Sequence, residues 1–274
     1  MQRTKVRLGA VIATLTVAAS AAPGALAITN GELDGTRHPN VGLFAIEHDG
    51  IKEAWCSGFY AGPRKADPGT GVFVTAAHCL ADLAAFGFSG SDLTVTFDPE
   101  ISIEIDGNTW ATTAAPWHPA FAYDTAADAD YGVVLLEDPV DGVTGVQFPR
   151  ARLLDDLAAR GGLRPTTVFD NVGFGVIPHF KGGEPDYEPP TGRMFSTSKF
   201  LGLTKSYLKL LTNGDAGYGG GCYGDSGAPV LRHGSNTAVA FQSGGDPLCR
   251  TQAHPLRLDI PAAREFYREY IELP

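Results

Sequence analysis

Short apolar and β-branched runs alternate along the chain with Gly, Pro, Asn and Asp. Runs of about 4–8 such residues between turn formers are typical of β-strands, and many in succession predict an all-β barrel or sandwich. In the segment 101–105, isoleucine alternates with polar residues, which predicts a strand with one buried face and one solvated face. The predicted strands are VGLFAIE, GVFVTAAHC, DLTVTF, ISIEI, YGVVLLE, TTVFDNVGFGVI, SGAPVL and TAVAFQSGG.

Helical periodicity is confined to two segments. Residues 152–162 (RLLDDLAARGG) predict a short helix with Gly161 as its C-terminal cap. Residues 259–273 place Pro261 in a first turn and large apolar residues on one face, which predicts an amphipathic helix packed on the body of the protein. The Gly- and Pro-rich residues 181–192 predict a long surface loop that joins two halves or forms a lid.

The first 27 residues have the three-part pattern of a secretory signal peptide. Three cations precede an apolar stretch at residues 8–17, and small residues follow up to Ala27. The apolar stretch is shorter than the roughly 20 residues that span a bilayer. We therefore expect cleavage after Ala27, and a secreted, extracellular chain of residues 28–274 that makes no membrane contact after cleavage.

The net charge narrows the choice of partners. The formal charge is −10, and it becomes −13 without the three cations of residues 1–27. Because no cluster of Lys or Arg offsets this charge, nucleic acid and anionic membranes are poor partners, and the acidity indicates a soluble protein. We expect a monomer.

Four cysteines in an exported chain predict two disulfides. Four cysteines allow three pairings, and the spacings here favour two local links. Neither a Cys-x-x-Cys motif nor a paired-His spacing occurs, so neither a metal site nor a cofactor is predicted.

Three separate residues together suggest nucleophilic catalysis. Ser226 lies in the glycine-rich segment 217–229 (GYGGGCYGDSGAP), whose backbone can direct several N–H groups into one small volume. A serine hydroxyl needs a base, and the base needs an acid to orient it. His78 ends one apolar strand and Asp130 begins another. Each residue alone has an ordinary structural explanation, so the prediction depends on the set.

Four motifs in order carry a family resemblance. ITNG, TAAHC, DYGVVLL and GDSGAP resemble I-V-G-G, T-A-A-H-C, D-I-A-L-L and G-D-S-G-G-P of the chymotrypsin/trypsin family of secreted serine endopeptidases, in a bacterial-like form. The resemblance implies an all-β fold of two antiparallel six-stranded barrels, with the active site in the cleft between them and a C-terminal α-helix. It implies one protease domain, with an N-terminal barrel at about 28–140, a C-terminal barrel at about 160–258 and a helix at about 260–272.

The resemblance also implies catalytic roles. Ser226 is the expected nucleophile, His78 the general base and later acid, and Asp130 the group that orients the imidazole. The backbone N–H groups of Gly224 and Ser226 are the expected oxyanion hole.

Activation and cross-links follow from the same resemblance. The α-ammonium group of Ile28 is expected to pair with Asp225, so that cleavage after Ala27 is itself the activating step, although Thr29 and Asn30 replace the usual V-G. The expected disulfides are Cys56–Cys79 and Cys222–Cys249.

The resemblance assigns a substrate pocket to three residues. Gly220, six residues before the nucleophile, is expected at its floor, where trypsin-like members carry Asp. Gly245 leaves one wall open, and Ser243 supports Asp130. The uncharged slot favours large apolar or aromatic side chains at P1, the residue whose carbonyl is attacked, in protein or peptide substrates.

Two other classes of protein compete with an active protease. An α/β-hydrolase needs G-x-S-x-G, which Ala228 breaks, and its nucleophile precedes its histidine in the chain. A catalytically silent binding homologue commonly lacks a member of the catalytic set, whereas all three residues are present here.

Overall fold

The structure is a computed structural model that describes residues 28–48, 51–101, 105, 108–180 and 185–274. The predicted signal peptide lies outside the described residues. So do the centre of the predicted strand 101–105 and the first four residues of the predicted loop 181–192.

The described residues form sixteen β-strands and three α-helices, which confirms the predicted all-β class. The strands are β1 Glu32–Leu33, β2 Val41–His48, β3 Ile51–Pro63, β4 Gly71–Ala76, β5 Leu93–Thr96, β6 Thr109–Ala114, β7 Tyr131–Leu136, β8 Val168–Gly173, β9 Ile177–His179, β10 Asp186–Glu188, β11 Met194–Leu203, β12 Leu208–Leu211, β13 Pro229–Arg232, β14 Ala238–Phe241, β15 Gln252–Ala253 and β16 Leu256–Arg257. The helices are α1 Ala77–Ala85, α2 Leu153–Ala159 and α3 Pro261–Tyr267.

The first barrel is a closed antiparallel ring in the order β2-β3-β4-β7-β6-β5. Strands β4 and β7 are buried along their whole length, as their continuous apolar sequences predict. Phe44 and Phe73 meet edge to face inside the ring, with their centroids 6.5 Å apart. Closure leaves no free edge among the six described strands of this barrel.

The second half is a curled sheet in the order β15-β12-β11-β8-β13-β14-β16, with β1 paired to β11. Its two edge strands belong to one segment, 252–257, which Pro255 interrupts because proline has no N–H to donate. An isolated antiparallel β-bridge between Tyr207, next to β12, and Leu256 of β16 connects the two ends of the curled sheet. Counted with segment 252–257 as one strand, the sheet has the predicted six strands around the ring.

The two predicted helices are present and short. Helix α2 ends before Gly161, whose φ of 67° supplies the left-handed conformation expected at a C-terminal cap. Helix α3 begins at Pro261 and buries Phe266 and Tyr267. The Phe266 ring stacks on Tyr131 of β7, and the Tyr267 ring meets Tyr131 edge to face. The helix therefore covers one end of the first barrel.

Part of the predicted surface loop at 181–192 is regular structure. Strand β10 pairs antiparallel with β9, and Tyr187 lies opposite Pro178. The flanking Gly and Pro residues conceal this short pairing in the sequence.

Arg193 links the two halves from inside the protein. Its guanidinium is 1% exposed and lies 2.9 Å from the carboxylate of Asp34. It also donates hydrogen bonds to the carbonyl oxygens of Val41 and Phe97 in the first barrel and of Gly35. Among the described residues, we find no helix with the length and apolar character needed to cross a membrane.

Candidate active site

Strand register brings His78 and Asp130 together. Strands β4 and β7 are antiparallel neighbours, and Ala76 at the end of β4 lies opposite Tyr131 at the start of β7. The chain enters helix α1 directly after Ala76, so His78 is the second helical residue, while Asp130 immediately precedes β7. Two residues far apart in sequence therefore lie side by side at one rim of the first barrel.

Asp130 holds the start of helix α1 as well as the imidazole. Its backbone carbonyl accepts from the amide of Ala77 at 3.2 Å, and its Oδ1 accepts from the amide of His78 at 2.7 Å. Both amides belong to the first turn of the helix, where the N–H groups have no hydrogen-bond acceptor within the helix. Oδ2 lies 2.8 Å from His78 Nδ1 and accepts a 2.6 Å hydrogen bond from the hydroxyl of Ser243. The 2%-exposed carboxylate thus presents one oxygen to the backbone and one to the ring.

Ser226 approaches the histidine from the second barrel. Its Oγ lies 2.8 Å from His78 Nε2. The next residue, Gly227, has a φ of 84°, and a Cβ there would lie 2.4 Å from Thr75 Oγ1 and 2.5 Å from the carbonyl oxygen of Ser57. Only glycine fits at this contact, and its absence of a side chain lets the Ser226 loop dock against the first barrel.

The pKa of His78 is set by opposing effects. Burial alone lowers it, but the hydrogen bond and negative charge of Asp130, together with the charge of Asp82, outweigh burial and raise the pKa above its ordinary value. The arrangement therefore favours an imidazolium, the form that a proton taken from Ser226 would create.

Two amides beside Ser226 have no acceptor among the described residues: those of Gly224 and Ser226 itself. The neighbouring carbonyl groups are held away from them. The carbonyl of Tyr223 accepts from the amide of Val176 at 2.7 Å, and that of Gly224 accepts from both the amide and the hydroxyl of Ser57, at 2.9 and 2.8 Å. Gly224 has a φ of 88°, which glycine adopts at little cost.

Two disulfides flank these residues, in the pairing that the resemblance implied. Cys56 of β3 is bonded to Cys79, next to the histidine, and Cys222 is bonded to Cys249. The second link joins the Ser226 loop to the segment after Ser243, so each disulfide braces one side of the site.

A cleft of about 450 Å³ opens beside the three residues. It is lined by His78, Asp82, Tyr123, Gly221, Cys222, Tyr223, Ser226, Gln242, Ser243, Gly244, Gly245, Asp246, Pro247, Cys249 and Gln252. Two of the three predicted pocket residues, Ser243 and Gly245, are among them. Gly220 is not: a Cβ on it would lie 2.3 Å from Thr212 Cγ2 and 3.3 Å from Ser198 Oγ, so it faces the interior.

Two lining residues, Asp82 and Gln242, have no role in the sequence-based prediction. Asp82 follows His78 by one helical turn and receives a hydrogen bond from the Tyr123 hydroxyl at 2.5 Å. Gln242 is a polar residue that directly follows the buried strand β14, which is a signal the sequence does contain. Asp246 forms a turn, because its two oxygens accept from the amides of Leu248, Arg250 and Thr251.

The predicted activation pair lies in the same region. Ile28 is 1% exposed and packs with Ile177 and Met194. The amide of the following residue, Thr29, donates to the carbonyl of Gly220 at 3.0 Å. Asp225 is fully buried and accepts from the amides of Cys222 and Gly175, at 2.9 and 2.8 Å.

None of the ion pairs between described residues involves Asp225. Burial raises its pKa to about 7, although the two amide hydrogen bonds act in the opposite direction. A buried carboxyl without a cation is therefore present where the resemblance places the partner of the Ile28 amino group.

One closed barrel, a second curled one and a cleft between them define the trypsin-like serine protease fold. The solved structure of the VesB protease of Vibrio cholerae has this fold and aligns with the chain at a TM-score of 0.58 and 14% sequence identity, over 88% of this chain. The aligned part spans 66% of VesB, just under two thirds of its length. No protein-family model matches the chain, and no curated protein matches its sequence. The likeness to VesB therefore concerns the fold.

Proposed function

We propose that the protein is a serine endopeptidase that cleaves protein or peptide substrates through an acyl-enzyme. The observation that supports this most directly is the continuous chain of short contacts from Ser226 through His78 and Asp130 to Ser243, at 2.8, 2.8 and 2.6 Å. Nucleophilic catalysis by serine requires this order of hydroxyl, base and acid.

In the first half-reaction, the Ser226 oxygen attacks the carbonyl carbon of the scissile bond and its proton passes to His78 Nε2. Asp130 accepts a hydrogen bond from Nδ1–H, which keeps Nε2 unprotonated before the attack and stabilises the imidazolium after it. The imidazolium then protonates the amine leaving group as the C–N bond breaks. In the second half-reaction a water molecule loses a proton to His78 and hydrolyses the ester, which restores the Ser226 hydroxyl.

Charge that develops on the substrate oxygen would be bound by the amides of Gly224 and Ser226. Both lack an acceptor in the described part of the protein, and the adjacent carbonyl groups are bonded elsewhere. Donors that are oriented in advance need no reorganisation during the reaction, and the loss of one typically raises a barrier by about 3–4 kcal/mol.

We assign activation to cleavage before Ile28. The fully buried carboxyl of Asp225 has no cation, and an α-ammonium group at Ile28 would supply one. Pairing would raise the pKa of that amino group above its unfolded value near 8. The stabilisation is then complete below about pH 8 and is lost as the pH rises through the raised value, so activity declines in strong alkali.

We further propose that the protein is secreted. Two disulfides are compatible with an oxidising compartment. The sequence predicts an uncharged pocket that prefers large apolar or aromatic P1 residues, and this preference stays a prediction.

Labelling with an organophosphonate probe tests the proposed activity. Such a probe forms a covalent adduct only with an activated serine, so we expect one adduct on Ser226 in the chain that begins at Ile28. The variant Ser226→Ala should remain unlabelled, whereas Ser91→Ala, at an exposed serine outside the cleft, should label like the parent. A folded protein with no adduct would instead favour the silent binding homologue.

A further inference from the structure

A row of polar side chains lies buried beside the cleft. The hydroxyl of Ser198 donates to the carbonyl oxygen of Gly219 at 2.5 Å. Asn171 Nδ2 lies 2.7 Å from Ser198 Oγ, and Asn171 Oδ1 accepts from Gln242 Nε2 at 2.9 Å. All of these residues are buried, and Gln242, at the end of the row, lines the cleft.

The Gly219 carbonyl sets the orientation of the whole row. A carbonyl oxygen only accepts, so the single hydroxyl proton of Ser198 must point to it. Ser198 can then only accept from Asn171, which places the Asn171 amide nitrogen on that side and its oxygen towards Gln242. Gln242 must therefore present its nitrogen to Asn171, which leaves its oxygen on the other side.

Gln242 Oε1 accepts no hydrogen bond from any described residue, although the side chain is 95% buried. It lies along the backbone of Gly221, where a Cβ would be 3.1 Å from Oε1 and 2.8 Å from Cδ. Gly221 and Gln242 both line the cleft, whereas Gly220 faces Thr212 and Ser198 behind them. The side-chain amide oxygen of Gln242, held in one orientation, thus forms part of the inner wall of the cleft.

We infer that Gln242 is a specificity-determining residue whose side-chain oxygen accepts a hydrogen bond from the P1 side chain. This inference rests on the proposed protease function and revises the P1 preference expected from the sequence, since large apolar side chains without a donor become disfavoured. An acceptor without a partner favours an uncharged P1 side chain that ends in a donor, such as Tyr or Gln. It disfavours the matching hydrocarbon-like side chains of Phe and Met, which would cover the oxygen and leave it without a donor.

Competition between paired peptides measures this preference directly. Peptides that differ only in Tyr against Phe, or Gln against Met, at P1 are mixed with the full chain beginning at Ile28, and the product ratio gives the ratio of kcat/KM. This ratio does not depend on how much enzyme is correctly folded. We expect the donor-bearing peptide to be favoured roughly tenfold to a hundredfold in at least one pair.

Substitution of Gln242 by Met, whose thioether is only a weak acceptor, should bring the two rates of the favoured pair to within about twofold of each other. The matched control Gln147→Met makes the same change at an exposed glutamine outside the cleft and should keep the preference. In a further variant, Gln242→Glu at pH 8, the new carboxylate should raise the ratio of Lys to Met cleavage at least tenfold.

Equal rates in both peptide pairs, or a donor preference that survives Gln242→Met, would overturn the assignment. Covalent labelling of Ser226 separates this failure from failure of the proposed activity. Labelling with no donor preference removes only the role of Gln242, whereas absence of labelling and of all peptide cleavage removes both proposals.

Discussion

His78 Nε2 lies 2.8 Å from Ser226 Oγ, although 148 residues separate them in the chain and they belong to different barrels. The contact exists because two loops that are each held by their own barrel meet across the cleft. His78 is held by the register of β4 with β7, and Ser226 by the close approach of Gly227 to Thr75.

Asp130→Asn should reduce turnover by roughly 10⁴, because the imidazole would be held in the wrong tautomer. The amide nitrogen would replace an acceptor near Nδ1 and favour the tautomer in which Nε2 carries the proton. Steady-state kinetics give the size of the loss, and thermal unfolding shows whether the fold persists. Asp128→Asn, at an exposed neighbour outside the cleft, is the control. A turnover within tenfold of the parent would contradict the orienting role.

The acid limb of the pH profile should have its midpoint above 6.5, since the pKa of His78 is raised and the base must be neutral to act. Asp82→Asn removes one of the negative charges that raise this pKa, so we expect the midpoint to move to lower pH. Profiles of kcat/KM at constant ionic strength measure the shift. Glu265→Gln, on an exposed position of α3, should leave the midpoint in place; equal profiles for all three proteins would refute the influence of Asp82.

Stability should depend on pH differently before and after cleavage. In the uncut chain, the folded pKa of Asp225 is about 7, above its unfolded value of about 3.9. The free energy of unfolding contributed by this group is therefore complete below about pH 4 and falls as the pH rises through 7, by about 1.4 kcal/mol per unit of difference in pKa. Denaturant unfolding from pH 4 to 9 measures the fall.

A chain that begins at Ile28 should resist this loss, because its α-ammonium group pairs with the ionised Asp225 up to about pH 8. Asp225→Asn in the uncut chain should flatten the profile between pH 4 and 7, since the titrating group is gone. Identical profiles for cut and uncut chains would argue against the pairing, and so would an active secreted protein whose first residue is not Ile28.

Arg193→Met should destabilise the fold by about 3–5 kcal/mol, because it removes the buried cation beside Asp34 Oδ2 and leaves three carbonyl groups without their donor. Asp34 would keep only its contacts with the partly exposed His38 and Arg37. Arg150→Met breaks an ion pair of similar length, 2.6 Å to Asp156, but at side chains that are 50% and 36% exposed. We expect this control to cost less than about 1 kcal/mol. Chemical denaturation compares the two, and equal effects would show that Arg193 does not link the barrels.

Much of the fold follows from local pattern. The apolar runs predicted β2, β4, β5, β7, β8, β13 and β14, and the periodicity of the final segment predicted α3. Helix α1 was missed, because its start looks like the end of strand β4 and its first turn is completed by Asp130 from a distant segment. Strand β10 was missed for a similar reason, since its only partner is the equally short β9.

The amino-acid sequence by itself determined that the apolar runs form strands, how the cysteines are spaced and which hydroxyl, imidazole and carboxylate are available for chemistry. Strands without such a run, β3 and β11 among them, were not predicted. Alternation and turn residues act over a few positions, so they can be read locally. Only the tertiary structure decided that Gly220 faces the interior, that Arg193 is buried between the halves and that the oxygen of Gln242 points away from Asn171. These outcomes depend on hydrogen-bond partners tens of residues away, whose directions are settled only when both barrels have closed.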